Sequence, residues 1–168
     1  MLLLLIMSCL SFCIPNNNPT WDNTVPYVPK IGKALVIKVY DGDTITIAHK
    51  MSVFDRKYYR FSVRLARIDC PELRTKNPVE KEYATKAKLE LEKLILNKTV
   101  ELKVFKTDKY GRLLAEVYFK NKSLNSWLLH NHLAVEYDGT KKTSPSNWGD
   151  YYQEIDFCSF ENFNHTNT

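Results

Sequence analysis

Three features that would place this chain in other protein classes are absent from its sequence. It has no run of about 20 apolar residues, the length that a membrane-spanning helix needs. It has no Cys-x-x-Cys motif and no cysteine–histidine spacing of the kind that binds zinc. It also has no visible internal repeat, which argues against a repeat architecture. The 168 residues therefore suit one domain with a single core and short additions at its ends.

The sequence also has a small net charge and few cysteines. Its 24 basic and 19 acidic residues give a net charge of +5, a mild excess that is compatible with a phosphate-bearing partner. Of its four cysteines, Cys9 and Cys13 lie in the apolar N-terminal stretch. Cys70 and Cys158 could pair in an oxidising compartment or remain free, and the sequence leaves both alternatives open.

Residues 1–14 are almost entirely apolar but too few to cross a bilayer. They match the apolar region of a secretory signal peptide, although no Lys or Arg occurs before Lys30. The stretch Ile6-Met7-Ser8-Cys9 resembles a bacterial lipoprotein cleavage site. We therefore expect residues 1–15 to be a signal peptide or a membrane or lipid anchor, and the protein to be secreted or anchored at the cell surface. The alternative is a buried or disordered apolar tail.

Five β-strands are predicted in the middle of the chain. Residues 34–40 and 43–48 are rich in β-branched side chains and are joined by Asp41-Gly42, which predicts a hairpin whose two turn residues have positive φ. Alternating apolar residues predict the remaining three strands, over residues 59–68, 99–105 and 113–119.

Helices are predicted between and after these strands. Asn77 can cap a helix that has Pro78 in its first turn, Glu80 at the capping-box position and Asn97 at its end. Shorter helices are expected over residues 123–132 and 148–157. The order β-β-β-α-β-β predicts an α+β fold, a five-stranded OB-fold-type β-barrel with two to three flanking helices.

Changes in composition predict the limits of this domain. Residues 16–30 are rich in proline and asparagine, which is typical of an extended linker. The folded domain is expected to span residues 31–158. Residues 159–168 are polar and are expected to form a disordered tail.

Three short polar stretches contain side chains that the strand pattern does not require. Each of them, taken alone, is compatible with an ordinary turn or a charged surface. Together they supply the groups for phosphodiester hydrolysis. Asp43 and Asp69 offer hard oxygen ligands to a divalent cation, Arg64 and Arg112 offer planar forks to phosphate oxygens, and Glu72 offers a general base.

The same stretches resemble the motifs of the staphylococcal nuclease (thermonuclease) family. They are Val39-Tyr40-Asp41-Gly42-Asp43-Thr44, then Arg64 followed by Asp69-Cys70-Pro71-Glu72, then Asp108-Lys109-Tyr110-Gly111-Arg112. They occur in the family's order and at compatible separations, within a resemblance that runs from about Ala34 to Tyr137.

This resemblance implies calcium-dependent cleavage of DNA and RNA that leaves 3′-phosphates. It implies a metal site formed by Asp43, Asp69 and the main-chain carbonyl of Cys70. It also implies catalytic roles for Glu72 as general base and for the two phosphate-binding arginines. Contacts to the nucleotide fall to three further residues: Lys109, Tyr110 and Tyr137.

Two segments depart from the family pattern, namely residues 49–59 and the short C-terminal helix. A non-catalytic nucleic-acid-binding module on the same barrel is the main alternative, and an OB-type protein-binding domain is a second. A degenerate module would lack several of the five catalytic and metal-binding side chains, and all five are present. We expect a monomer without a stable protein partner.

Overall fold

The computed structural model of the chain describes residues 18–140, 145, 147–153 and 157–163. The predicted leader over residues 1–15 lies outside the described residues. Within those ranges, none of the helices has both the length and the apolar character needed to cross a membrane.

The described residues form eight strands and three helices. In chain order they are β1 (Lys33–Val39), β2 (Thr44–His49), β3 (Tyr59–Leu65), β4 (Ile68–Asp69), α1 (Pro78–Ile95), β5 (Thr99–Thr107), β6 (Leu113–Phe119), β7 (Lys122–Ser123), α2 (Leu124–His130), β8 (Val135–Glu136) and α3 (Trp148–Gln153).

Five of the strands close into a barrel. The order β3-β2-β1-β5-β6 is antiparallel throughout, and the parallel pairing of β3 with β6 joins its two ends. Alternation along β3 turns Val63 and Leu65 into the core, so that Arg64 points out of it. The α+β class and the five-stranded OB-type barrel with its helices are confirmed.

The third strand ends earlier than its apolar pattern predicts. β3 stops at Leu65, and the backbone turns at Arg67, whose φ of 62° lies in the left-handed region. The chain then enters β4, which pairs with β8 instead of continuing along the barrel. The prediction of a continuous strand to Ile68 was therefore wrong. The turn between Arg64 and Asp69 reverses the chain enough for their side chains to contact each other.

Helix α1 begins as predicted but uses one residue differently. The Asn77 side chain accepts hydrogen bonds from the backbone N–H groups of Val79 and Glu80. Glu80 does not close a capping box, because its Oε1 accepts a bond from the Glu72 backbone N–H at 3.1 Å. The predicted capping residue thus fixes the loop that carries the candidate general base.

Residues 159–163 are more ordered than their composition predicts. Phe160 and Phe163 are buried in the core, and Trp127 Nε1 donates a hydrogen bond to the Cys158 carbonyl at 3.0 Å. Residues 159–163 therefore belong to the fold, because two aromatic rings supply apolar area that a disordered tail would leave in water. The predicted C-terminal helix is present as α3, and residues 154–156 and 164–168 lie outside the described residues.

Candidate active site

Two buried carboxylates share one guanidinium where the barrel strands end. Arg64 Nη1 contacts Asp43 Oδ2, and Arg64 Nη2 donates to Asp69 Oδ1 at 2.9 Å. The three side chains are only 12%, 8% and 9% exposed, respectively. The strand pairing explains the meeting, since Thr44, the residue after Asp43, lies opposite Arg64 in the β2–β3 register.

The electrostatics of this cluster favour a further positive charge. Burial raises the pKa of the Asp43 carboxyl above its ordinary value, and Arg64 only partly offsets that effect. Burial lowers the pKa of Arg64, but the neighbouring Asp43 and Asp69 raise it on balance, so its guanidinium stays charged. Asp41 was predicted only as a turn residue. It adds a third negative charge close enough to raise the Asp43 pKa.

The loop that carries Asp43 is held by direct hydrogen bonds. The Asp43 N–H donates to Asp41 Oδ1 at 3.2 Å, and the Thr44 hydroxyl donates to Asp43 Oδ1 at 3.0 Å. The backbone N–H of Cys70 donates to Asp43 Oδ2 at 3.0 Å. These contacts place the main chain of Cys70 beside Asp43 and Asp69, which together form the acid pair.

Cys70 has a structural side chain. It is buried, and burial raises the pKa of its thiol well above the ordinary value, which keeps it protonated. Cys70 and Cys158 are both free thiols in the structure, which answers the question that the sequence left open.

The β1–β2 hairpin is confirmed, but its turn is not the predicted one. Neither Asp41 nor Gly42 has a positive φ. Glycine is needed at position 42 for space instead, because an added Cβ would lie 2.9 Å from Ala87 Cβ, 2.9 Å from Cys70 Sγ and 3.0 Å from Cys70 Cβ. The hairpin thus packs directly against α1 and against the loop after β4.

Replacing Gly42 with alanine is expected to lower the free energy of unfolding by about 1–3 kcal/mol, because the new methyl group overpacks this contact. Gly32→Ala is the matched control, since a Cβ there meets nothing within 4 Å. Urea denaturation of both variants measures the difference. If Gly42→Ala is as stable as Gly32→Ala, the close packing around Gly42 is not present in solution.

A groove of about 750 Å³ opens beside the acid pair. Arg64 connects the two features, since it contacts the two carboxylates and also lines the groove. Arg64 pairs with Leu114 across β3 and β6, and Arg112 lies two residues before Leu114, so that both arginines face the same side. The groove lining includes five of the predicted site residues: Arg64, Lys109, Tyr110, Arg112 and Tyr137.

Arg112 is aimed by the turn that precedes β6. Asp108 Oδ2 accepts a hydrogen bond from Arg112 Nε at 2.7 Å, and Asp108 Oδ1 accepts from the backbone N–H groups of Tyr110 and Arg112 at 2.9 Å. Burial raises the pKa of the Asp108 carboxyl, but these hydrogen bonds outweigh burial and lower that pKa below its ordinary value. Gly111 allows the turn through its φ of 78°. The terminal nitrogens of Arg112 are thereby directed by an ionised carboxylate.

Glu72 is exposed and lies in the connection between β4 and α1, outside the groove lining. Within the described ranges, no group of three or more His, Cys, Asp and Glu side chains is placed so that it could hold a metal ion. The predicted calcium site is a smaller set of two carboxylates and one carbonyl. It stays a prediction, as does the role of Glu72.

A family model described as a staphylococcal nuclease homologue matches residues 62–155 of the chain. This range includes both arginines and Glu72, and it extends through α3.

Endonucleases are also among the similar proteins. An uncharacterized endonuclease of Haemophilus influenzae is 30% identical over 135 residues, which is 80% of this chain and 61% of that protein. A probable endonuclease of Schizosaccharomyces pombe is 31% identical over 146 residues, 74% of this chain and 62% of that protein. A prophage-derived endonuclease of Bacillus subtilis is 34% identical over 100 residues, 58% of this chain and 31% of that protein. The chain spans about three fifths of the length of the first two relatives.

Proposed function

Because the chain belongs to the staphylococcal nuclease family, we propose that it hydrolyses phosphodiester bonds of DNA and RNA with calcium as its cofactor and leaves 3′-phosphate ends. The names of its relatives support a nuclease. Export to the cell surface or beyond belongs to the same proposal and is supported by the apolar residues 1–14.

The observation that carries the proposal is the position of Arg64. Its terminal nitrogens Nη1 and Nη2 contact Asp43 and Asp69, respectively, and the residue also lines the groove that holds Arg112. A phosphate in that groove would face the guanidiniums of Arg64 and Arg112, and the N–H groups that their carboxylate partners leave over would donate to its oxygens. Both guanidiniums are held before substrate arrives, so they can stabilise the charge that develops on the phosphorus oxygens without reorganising.

The residues beside Arg64 fit calcium by their donor chemistry. Two buried carboxylates face a single guanidinium, Asp41 adds further negative charge, and the Cys70 main chain is bonded to Asp43. Calcium takes hard oxygen ligands in loose geometry and completes its shell with water. Asp43, Asp69 and the Cys70 carbonyl would hold the ion, which would supply positive charge to the phosphate oxygens.

The other residues have roles that follow from their exposure. Glu72 would accept a proton from the attacking water, for which its exposed carboxylate is suited. Tyr110 is 72% exposed, and Lys109 Nζ lies 5.1 Å from the centre of its ring. Lys109 and Tyr110 would therefore contact the nucleotide at one side of the groove, and Tyr137 would do so from another.

The test is cleavage of end-labelled single-stranded DNA and RNA by the purified chain, in calcium and in excess chelator. We expect cleavage only in calcium, with products that a polymerase extends only after phosphatase treatment. Cleavage that persists in excess chelator would remove calcium from the proposal. Products that are extended without phosphatase would show that the other ester bond is broken. Binding without cleavage under all conditions would favour the non-catalytic module.

A further inference from the structure

Phe105 is an exposed aromatic residue that the core does not use. The residue is 45% exposed and lines the groove. The β5–β6 register shifts between Val104, which pairs with Ala115, and Lys106, which pairs with Leu114. Phe105 is thus the extra residue of a β-bulge, a feature that redirects a side chain and is frequent beside active sites.

Arg67 lies over the Phe105 ring with its guanidinium carbon 5.6 Å from the ring centre. The Arg67 side chain is 73% exposed, and its Nη2 donates to Glu116 Oε2 at 2.7 Å. Glu116 is itself buried, and its other oxygen accepts a bond from the Ser123 hydroxyl at 2.6 Å. A buried, hydrogen-bonded carboxylate therefore fixes the guanidinium in its place beside the ring.

The pair is built at a local conformational cost. Arg67 has a φ of 62°, an uncommon conformation for a residue with a side chain. Phe105 leaves much of an aromatic ring in water. Neither feature contributes to the barrel core, and both face the same groove. Local strain held by its surroundings motivates a functional hypothesis for the pair.

The surrounding charge identifies the kind of ligand. Five cationic side chains and two acidic ones line the groove: Arg64, Arg67, Lys106, Lys109 and Arg112, with Asp108 and Asp138. Such a groove attracts phosphates. The Phe105 ring has the Arg67 guanidinium over it and Lys103 Nζ 5.9 Å from its centre. The ring and the planar guanidinium together offer a stacking surface to a base, which only an unpaired base can reach.

We propose that Phe105 and Arg67 form a stacking platform for one unpaired nucleobase of a single-stranded nucleic acid bound in the groove. The inference rests on the proposed function in taking nucleic acid as the ligand. The platform is separate from Tyr110 and Tyr137, and it acts on affinity for the strand. It makes the chain prefer single strands to duplexes, since a paired base cannot leave its stack without cost.

The test measures binding without cleavage. Fluorescence anisotropy with a short fluorescein-labelled oligothymidylate, in excess chelator and low salt, gives the Kd of the full chain and its variants. Phe105→Ala and Phe105→Leu are expected to raise Kd by about 5- to 150-fold, because stacking on one base contributes about 1–3 kcal/mol. Phe105→Tyr keeps the ring and is expected to bind within about twofold of the unmodified protein.

Two controls separate stacking from other effects. Phe54 is 91% exposed and does not line the groove, so Phe54→Ala is expected to leave Kd unchanged. A labelled duplex is expected to bind Phe105→Ala as it binds the unmodified protein, since phosphate contacts remain. Arg67→Lys keeps the charge but loses the planar surface and is expected to weaken single-strand binding only.

Four results would overturn the proposal. They are normal single-strand affinity in Phe105→Ala, normal affinity in Phe105→Leu, an equal loss of affinity for the duplex, and no binding of the oligonucleotide by the unmodified protein. The outcome is distinct from that of the nuclease assay. If the unmodified protein never cleaves but Phe105→Ala weakens its binding to the single strand, only the proposed nuclease activity is contradicted. If the unmodified protein cleaves and Phe105→Ala binds the single strand normally, only the proposed platform is contradicted.

Discussion

Replacing Glu72 with glutamine is expected to lower kcat on single-stranded DNA by about 10²- to 10⁴-fold, which is the usual contribution of a general base. The substitution keeps the shape of the side chain and removes its ability to take a proton. The hydrogen bond between the Glu72 backbone and Glu80 is unaffected by it, so the loop keeps its position. The effect should therefore fall on kcat in saturating calcium, while the midpoint of thermal unfolding stays unchanged.

Glu82→Gln is the control for this measurement. Glu82 is also an exposed glutamate at the N-terminal end of α1, and it lies outside the groove lining. Its replacement changes the net charge by the same amount and is expected to leave kcat unchanged. If Glu72→Gln retains a rate within about tenfold of the Glu82→Gln rate, Glu72 is not the base.

Replacing Arg64 with alanine is expected to destabilise the protein by about 3–5 kcal/mol in the presence of a chelator, because two buried carboxylates lose the cation between them. In calcium the loss should be smaller, since a bound divalent cation neutralises the same carboxylates. Urea denaturation of the variant and the unmodified protein, in both conditions, gives the two differences.

Arg56→Ala controls for the loss of one surface charge. Arg56 is exposed in the connection between β2 and β3 and is expected to contribute less than about 0.5 kcal/mol. A loss below about 1 kcal/mol for Arg64→Ala in chelator would show that the buried cluster is not formed in solution. An equal loss with and without calcium would show that calcium binds elsewhere.

The barrel could be predicted from the sequence because local patterns determine most of it. Alternating apolar residues defined the strands, and Asn77-Pro78 defined the start of α1. Parallel closure of β3 on β6 is a tertiary event, however, and only the structure reveals that it brings Arg64 and Arg112 to one side. The motifs therefore named the candidate residues, but not the geometry that joins them.

The errors have a common cause, since each concerns a contact outside the local pattern from which the residue was interpreted. Gly42 was interpreted as a turn glycine, but its smallness is required by Ala87 and Cys70. Glu80 was assigned to a local cap, but it bonds the loop at Glu72. Phe160 was placed in a disordered tail because its neighbours are polar, although the core buries it. Composition and spacing contain no information about such partners.

Arg67 and Phe105 escaped the sequence analysis for a related reason. Phe105 fits the end of a strand pattern, and Arg67 lies within a stretch that alternates like a strand. The bulge and the left-handed turn that bring them together are set by the pairing of β5, β6 and β4 with their neighbours. An aromatic residue three positions before Asp108 was the one signal in the sequence.

We propose that Asp43 and Asp69, beside Arg64, form the centre of a calcium-dependent nuclease. The most direct measurement compares initial rates of single-stranded DNA cleavage, in saturating calcium, for the unmodified chain and the Asp43→Asn/Asp69→Asn double variant, after circular dichroism has established that both are folded. We expect the rate of the double variant to be lower by a factor of about 10³ or more, because the variant lacks the carboxylates that would bind the cation. A rate within about tenfold of the unmodified protein would place the active site elsewhere.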